Sequence, residues 1–175
     1  TSSYLSSGAD IACQYYGRCT VTDLHNDMAM AVAWPFKEVG FVLIRTGVNL
    51  VTPKHLANLK FDPTPLTALV DTGLRAFKQA DYRMFVDVIR AYQRCLQQQG
   101  LELSTTTDLL RLVSDAPGFL AAKGCGAMGA ETICVLYDLQ SRHAFTRYCD
   151  QYDVDCFAFV EDLADGLAVK ESLLL

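Results

Sequence analysis

Two short stretches carry the residue types that could do chemistry. In "SSGADIACQYYG", residues 6–17, Asp10 follows a small, flexible run and opens a short apolar segment. A carboxylate there has two readings. It is the N-cap of a helix that ends at Gly17, or it is held toward a cleft to serve as a general base. In "KGCGAMGAE", residues 123–131, Gly124, Gly126 and Gly129 fall within six positions, among the small residues Ala121, Ala122, Ala127 and Ala130. Glycine permits positive φ and lets another backbone approach closely. Loops of this kind abut a phosphate, or a second loop that holds one. A hairpin with a glycine bulge has the same spacing. The stretch is not a Walker loop, because no G-K-[ST] occurs. It is not the dinucleotide fingerprint either, because it enters a strand and not a helix.

The elements around these stretches follow from the apolar pattern. "CTVTD" and the run "MAMAVAWPF", closed by Pro35, read as strands. "VGFVLIRTG" is the strongest strand of the first half, β-branched and aromatic with a glycine at each end. Residues 47–65 read as a loop containing Pro53, Pro63 and Pro65. A helix follows with Leu66, Leu69, Val70, Leu74 and Phe77 on one face. Asp81 caps a longer one, whose apolar face is Tyr82, Phe85, Val86, Ile89, Tyr92 and Leu96, and Gly100 ends it. "STTTDLLRLVSD" opens a third helix, with Thr105 and Asp108 at capping-box spacing. "GFLAAKG" and "ETICVLYD" are strands on either side of the glycine corner. "LQSRHAFTRYCDQY" is a fourth helix, "VDCFAFV" a strand of buried type, and the tail "GLAVKESLLL" an edge strand.

From the third strand onward the order is strand, helices, strand, strand, helix, strand. This predicts an α+β fold with a ferredoxin-like, mostly antiparallel sheet backed by helices, and two extra helices in its first crossover. Residues 1–39 do not fit inside that unit and read as the tail end of a preceding domain, with 40–175 forming the sheet domain. The first methionine is Met28, so the chain is expected to be a portion of a larger protein.

Composition narrows the function classes. The net charge is −5 over 175 residues, with no concentrated basic face for nucleic acid. No apolar run approaches a membrane span. Seven cysteines without a C-x-x-C suggest neither a disulfide framework nor a zinc site, and point to a reduced, cytoplasmic protein. The three histidines are scattered and no metal ligand set is expected.

Taken together, three segments resemble the C-terminal part of the GHMP kinases, the superfamily of galactokinase, homoserine kinase, mevalonate kinase and phosphomevalonate kinase. "SSGADIACQYYG" resembles the S-G-x-D segment of mevalonate kinase-like members. "VGFVLIRTGV" with "TPKHL" is similar to the strand ending in T-G before the helical region. "AAKGCGAMGAETICVLYD" resembles the third motif, a glycine-rich loop leading into a strand. The resemblance covers about residues 5–160. It implies transfer of the γ-phosphoryl group of ATP, with Mg²⁺, to a hydroxyl or phosphate of a small metabolite, of mevalonate, phosphomevalonate or sugar type. It implies that Asp10 is the catalytic aspartate, and that Gly124, Gly126, Ala127, Met128 and Gly129 lie in the loop packed beside the ATP phosphate loop. Met128 and Ala130 stand where the family often has glycine. The family's main phosphate motif, P-x-x-x-G-L-[GA]-S-S, is not in these residues. The resemblance therefore implies an N-terminal half, or a partner chain or second copy, that completes the site, and an inactive isolated chain. The superfamily also contains an ATP-dependent decarboxylase. Arg18, Arg45, Thr46, Lys54 and His55 reach an anionic substrate if they face a cleft, and are ordinary surface polarity otherwise. A non-catalytic ferredoxin-like binding or regulatory module is the alternative, with Asp10 a cap and the corner a bulge.

Overall fold

The structure, a computed structural model, describes residues 8–23, 26–48, 61–126 and 131–167. They form two compact units. One takes the described residues up to Trp34 together with those from Val160 onward. The other is the continuous stretch Pro35–Phe159.

The first unit is a helix, a hairpin and a strap. Helix α1 spans Ala9–Tyr16. Strands β1 (Cys19–Asp23) and β2 (Met28–Val32) pair antiparallel, Cys19 opposite Val32. The segment Ala164–Leu167 straps the C-terminal end of α1. Arg18 N–H donates to Ala164 O at 2.7 Å, and Leu167 N–H donates to Gln14 O at 3.2 Å. Gly17 pairs with Asp165 in an isolated antiparallel bridge. The approach is so close that a Cβ on Gly17 would lie 2.0 Å from Gly166 N, and a Cβ on Gly166 would lie 2.2 Å from Tyr15 O. No described residue of this unit is buried, and Ile11, Tyr15, Met28 and Met30 are exposed.

The second unit is a four-stranded sheet with helices. β3 (Val39–Arg45) leads through α2 (Thr64–Lys78), α3 (Tyr82–Gln98) and α4 (Ser104–Ser114) to β4 (Phe119–Cys125). β5 (Thr132–Asp138), α5 (Arg142–Gln151) and β6 (Cys156–Phe159) complete it. The strand order is β4-β5-β3-β6, and every neighbouring pair is antiparallel. This is the expected ferredoxin-like arrangement with three helices in the first crossover. Cross-strand partners share a face, so Val42, Val135 and Ala122 line up, as do Ile44 and Ile133. That face packs on Leu110 and Val113 of α4 and on Phe145 and Cys149 of α5. The Tyr137 and Phe145 rings stack with centroids 5.0 Å apart. Asp81 caps α3 as expected, its carboxylate accepting from Met84 N–H at 3.0 Å.

Three local expectations need correction. Asp10 is not the N-cap of α1. Gly8 is, at φ +68° and without a side-chain bond, because glycine makes the left-handed entry that no L side chain makes cheaply. The Thr105–Asp108 capping box does not form. The helix starts at Ser104, and Glu102 instead accepts from the Thr107 hydroxyl. β6 is an edge strand, not a buried one. It leaves Phe157 exposed beneath the Arg45 guanidinium, which lies 4.3 Å from the ring centroid. Most of the expected tail strand lies outside the described residues.

Candidate functional site

Asp10 lies in the first turn of α1, exposed, with no capping bond engaging its side chain. The sequence folds this way because two glycines bracket an eight-residue helix. Gly8 opens it, Ala12 N–H bonding Gly8 O at 2.9 Å. Gly17 closes it, its N–H reaching Cys13 O. The strap then holds the closing end, so the helix carrying Asp10 is fixed from its far terminus. Nearby, burial first and Cys13 second push the Cys19 thiol up, which makes it a poor thiolate at neutral pH.

The glycine corner leaves the end of β4. Gly124 is buried, and its N–H donates 3.0 Å to the side-chain Oε1 of Gln93 on α3. Gly126 sits at φ +80°, which demands glycine. A Cβ there would come no closer than 3.8 Å to Glu131 Oε2, so conformation and not crowding fixes the residue type. Lys123, just before the corner, is turned back on the chain. Its Nζ donates 2.7 Å to Gly124 O and lies 5.1 Å from the Tyr92 ring centroid. Ala127, Met128 and Gly129 lie outside the described residues.

Of the other basic candidates, Arg18 is paired with Asp165 (2.6 Å) and Arg45 with Asp155 (3.1 Å). The Thr46 hydroxyl accepts from Val48 N–H. Lys54 and His55 lie outside the described residues. Asp10 belongs to the first unit and the corner to the second. Sequence reasoning missed Gln93. A polar residue on an amphipathic helix reads as solvent-facing, yet this one is 8% exposed and holds the entry to the corner. Its only signal is its position directly after Tyr92 and four residues past Ile89, on the apolar side of α3.

Among the described residues no group of three His, Cys, Asp or Glu side chains could hold a metal ion. No helix there is long and apolar enough to cross a membrane.

No protein family and no curated protein matches the chain by sequence. Solved structures match it by fold. Mevalonate kinase from L. major, in complex with R-mevalonate, superposes with a TM-score of 0.66 at 18% identity, over 84% of this chain and 49% of that one. Streptococcus pneumoniae phosphomevalonate kinase, in complex with phosphomevalonate and AMPPNP, gives 0.61 at 16% identity, over 75% and 42%. Homoserine kinase from Cytophaga hutchinsonii gives 0.59 at 12% identity, over 89% and 51%. The chain thus spans about half the length of the structures it matches. All three are GHMP kinases, and the chain has their fold.

Proposed function

We propose that this chain, with its GHMP-kinase fold, is the C-terminal portion of an ATP-dependent small-molecule kinase. The observation that carries the reading is the fold match across 84% of the chain. In the proposed reaction a substrate oxygen bonds to the γ-phosphorus of ATP. The bond from that phosphorus to the β,γ-bridging oxygen breaks, and ADP leaves. ATP supplies the phosphoryl group. Asp10 accepts or orients the proton of the substrate hydroxyl, and its exposed, uncapped carboxylate supports that role. Mevalonate- or phosphomevalonate-type alcohols and phosphates are the preferred substrates, since "SGAD" resembles those members most, with sugars next.

The described half of the corner suits a packing role better than a phosphate cradle. Lys123 is committed to Gly124 O and Glu131 stands across from Gly126. No described cluster of His, Cys, Asp or Glu residues fits Mg²⁺. Phosphate and metal binding are assigned to the rest of the polypeptide or to a partner chain. The exposed apolar side chains of the first unit support such a covering neighbour.

The test is a phosphorylation assay of the full-length parent with ATP and a panel of small alcohols, phosphates and sugars. Asp10→Asn should lower turnover by about 10²–10⁴-fold with little change in stability, and the 175-residue chain alone should give none. Full activity in the Asp10→Asn parent overturns the assignment of the base. Turnover by the isolated chain overturns the half-site reading.

A further inference from the structure

α3 presents Arg90, Arg94 and Gln97 at positions i, i+4 and i+7, and hence on one face. With Gln93 they line an open crevice of about 200 Å³ beside β4, together with Leu110, Phe119 and Ala122. β4 is the edge of the sheet, and α3 satisfies part of that edge. Arg90 Nε donates to Leu120 O at 2.9 Å, and Gly124 N–H donates to Gln93 Oε1 at 3.0 Å. Between these two contacts, strand alternation turns the N–H and C=O of Ala122 outward as well.

Two groups in this crevice lack what their chemistry calls for. Because Gln93 Oε1 accepts from Gly124, the amide orientation is set, and Nε2 is left buried with no hydrogen-bond partner among the described residues. A buried donor without an acceptor is costly and uncommon. Arg94 pairs with no carboxylate among the described residues, whereas Arg90 has Asp87 at 3.4 Å. Gln97 differs, because its Nε2 donates to Glu102 at 3.3 Å. Arginine side chains, a glutamine with an unsatisfied donor and apolar residues therefore line one crevice.

We propose that this crevice binds a small molecule with an oxyanion on a short apolar body. Arg94, assisted by Arg90, takes the oxyanion as arginine takes carboxylates and phosphates. One ligand oxygen completes Gln93 Nε2, and the apolar body lies on Leu110, Phe119 and Ala122. Occupancy is felt at the glycine corner, because the same Gln93 side chain holds Gly124. The proposal stands independently of the kinase reading.

The experiment is a titration of the ¹⁵N-labelled 175-residue chain with hexyl phosphate, followed by two-dimensional NMR, with hexanol as control. Saturable shifts are expected at the Gln93 side-chain amide and the Gly124 N–H, with no saturation by hexanol. Arg94 is exposed, so Arg94→Gln should keep the spectrum of the folded chain while weakening binding about tenfold or more. No saturation up to about 10 mM, where a millimolar Kd is visible, overturns the proposal. So does an equal response of the Arg94→Gln variant, or equal saturation by hexanol.

Discussion

Gly8 and Gly17 bracket the same helix at the same φ of +68°, yet alanine should be tolerated very differently at the two ends. At Gly8, with ψ 0°, an L residue enters the left-handed region at about 1–2 kcal/mol. At Gly17, with ψ −168°, it enters a region that essentially only glycine occupies, at about 1–3 kcal/mol. The unfolded-state gain from losing a glycine is common to both. At Gly8 nothing lies within 4 Å of the added Cβ. At Gly17 the Cβ would stand 2.0 Å from Gly166 N and 2.5 Å from Asp165 C. Those are backbone atoms, so the strap has to move as a whole. Moving it forfeits the Arg18 N–H to Ala164 O and Leu167 N–H to Gln14 O bonds, worth about 1 kcal/mol each. The Arg18–Asp165 ion pair, with side chains 51% and 76% exposed, adds little. Gly17→Ala should thus cost at least about 2 kcal/mol more than Gly8→Ala, roughly a thirtyfold or greater difference in local opening. Amide hydrogen exchange of Ala12, Cys13 and Gly17 reads this directly. Equal exchange in the two variants, or a Gly17 amide unprotected in the unmodified chain, would refute the claim that the close approach fixes the helix.

Phe145→Ala should destabilise the second unit by about 3–5 kcal/mol, because Phe145 is fully buried and stacked on Tyr137; a urea midpoint followed by circular dichroism measures it. Asp81→Ala should cost about 1 kcal/mol by removing the bond to Met84 N–H, and Asp81→Asn only a few tenths. Asp62 gives a pH signature. The Thr64 hydroxyl first, and its backbone N–H second, hold the Asp62 carboxyl below its ordinary value of 3.8. A depressed carboxyl contributes stability above its unfolded pKa and loses it as pH falls through the folded one. Asp62→Asn should therefore flatten the acid limb of the stability–pH curve and leave its alkaline limb unchanged.

Much of the second unit was legible because its signals are redundant. β3 is β-branched and bracketed by glycines, α3 has both a cap and a 3.6-residue apolar period, and the order of elements admits few topologies. The misses share a physical origin. Several adjacent small or polar residues can each make a cap, and only tertiary context selects one. Gly8 wins over Asp10, and Glu102 captures Thr107 in place of the expected box. "VDCFAFV" has the composition of an interior strand, but composition does not say which strand is last in a sheet. In the candidate site, the helix of Asp10 and the start of the corner were legible from glycine placement. The buried Gln93 was not, since its partner Gly124 is 31 residues away.

The strap has a consequence for how the chain is made. Arg18 and its partner Asp165 are separated by 147 residues. At about 5–20 residues per second, a ribosome needs roughly 7–30 s to deliver the second after the first. The sheet unit Pro35–Phe159 is synthesised within that interval and can begin to fold as its own strands emerge. The helix of Asp10 and its hairpin, though made earlier, have to wait for the strap that bonds the end of that helix. In the nascent chain, a portion made before the sheet unit is secured after it.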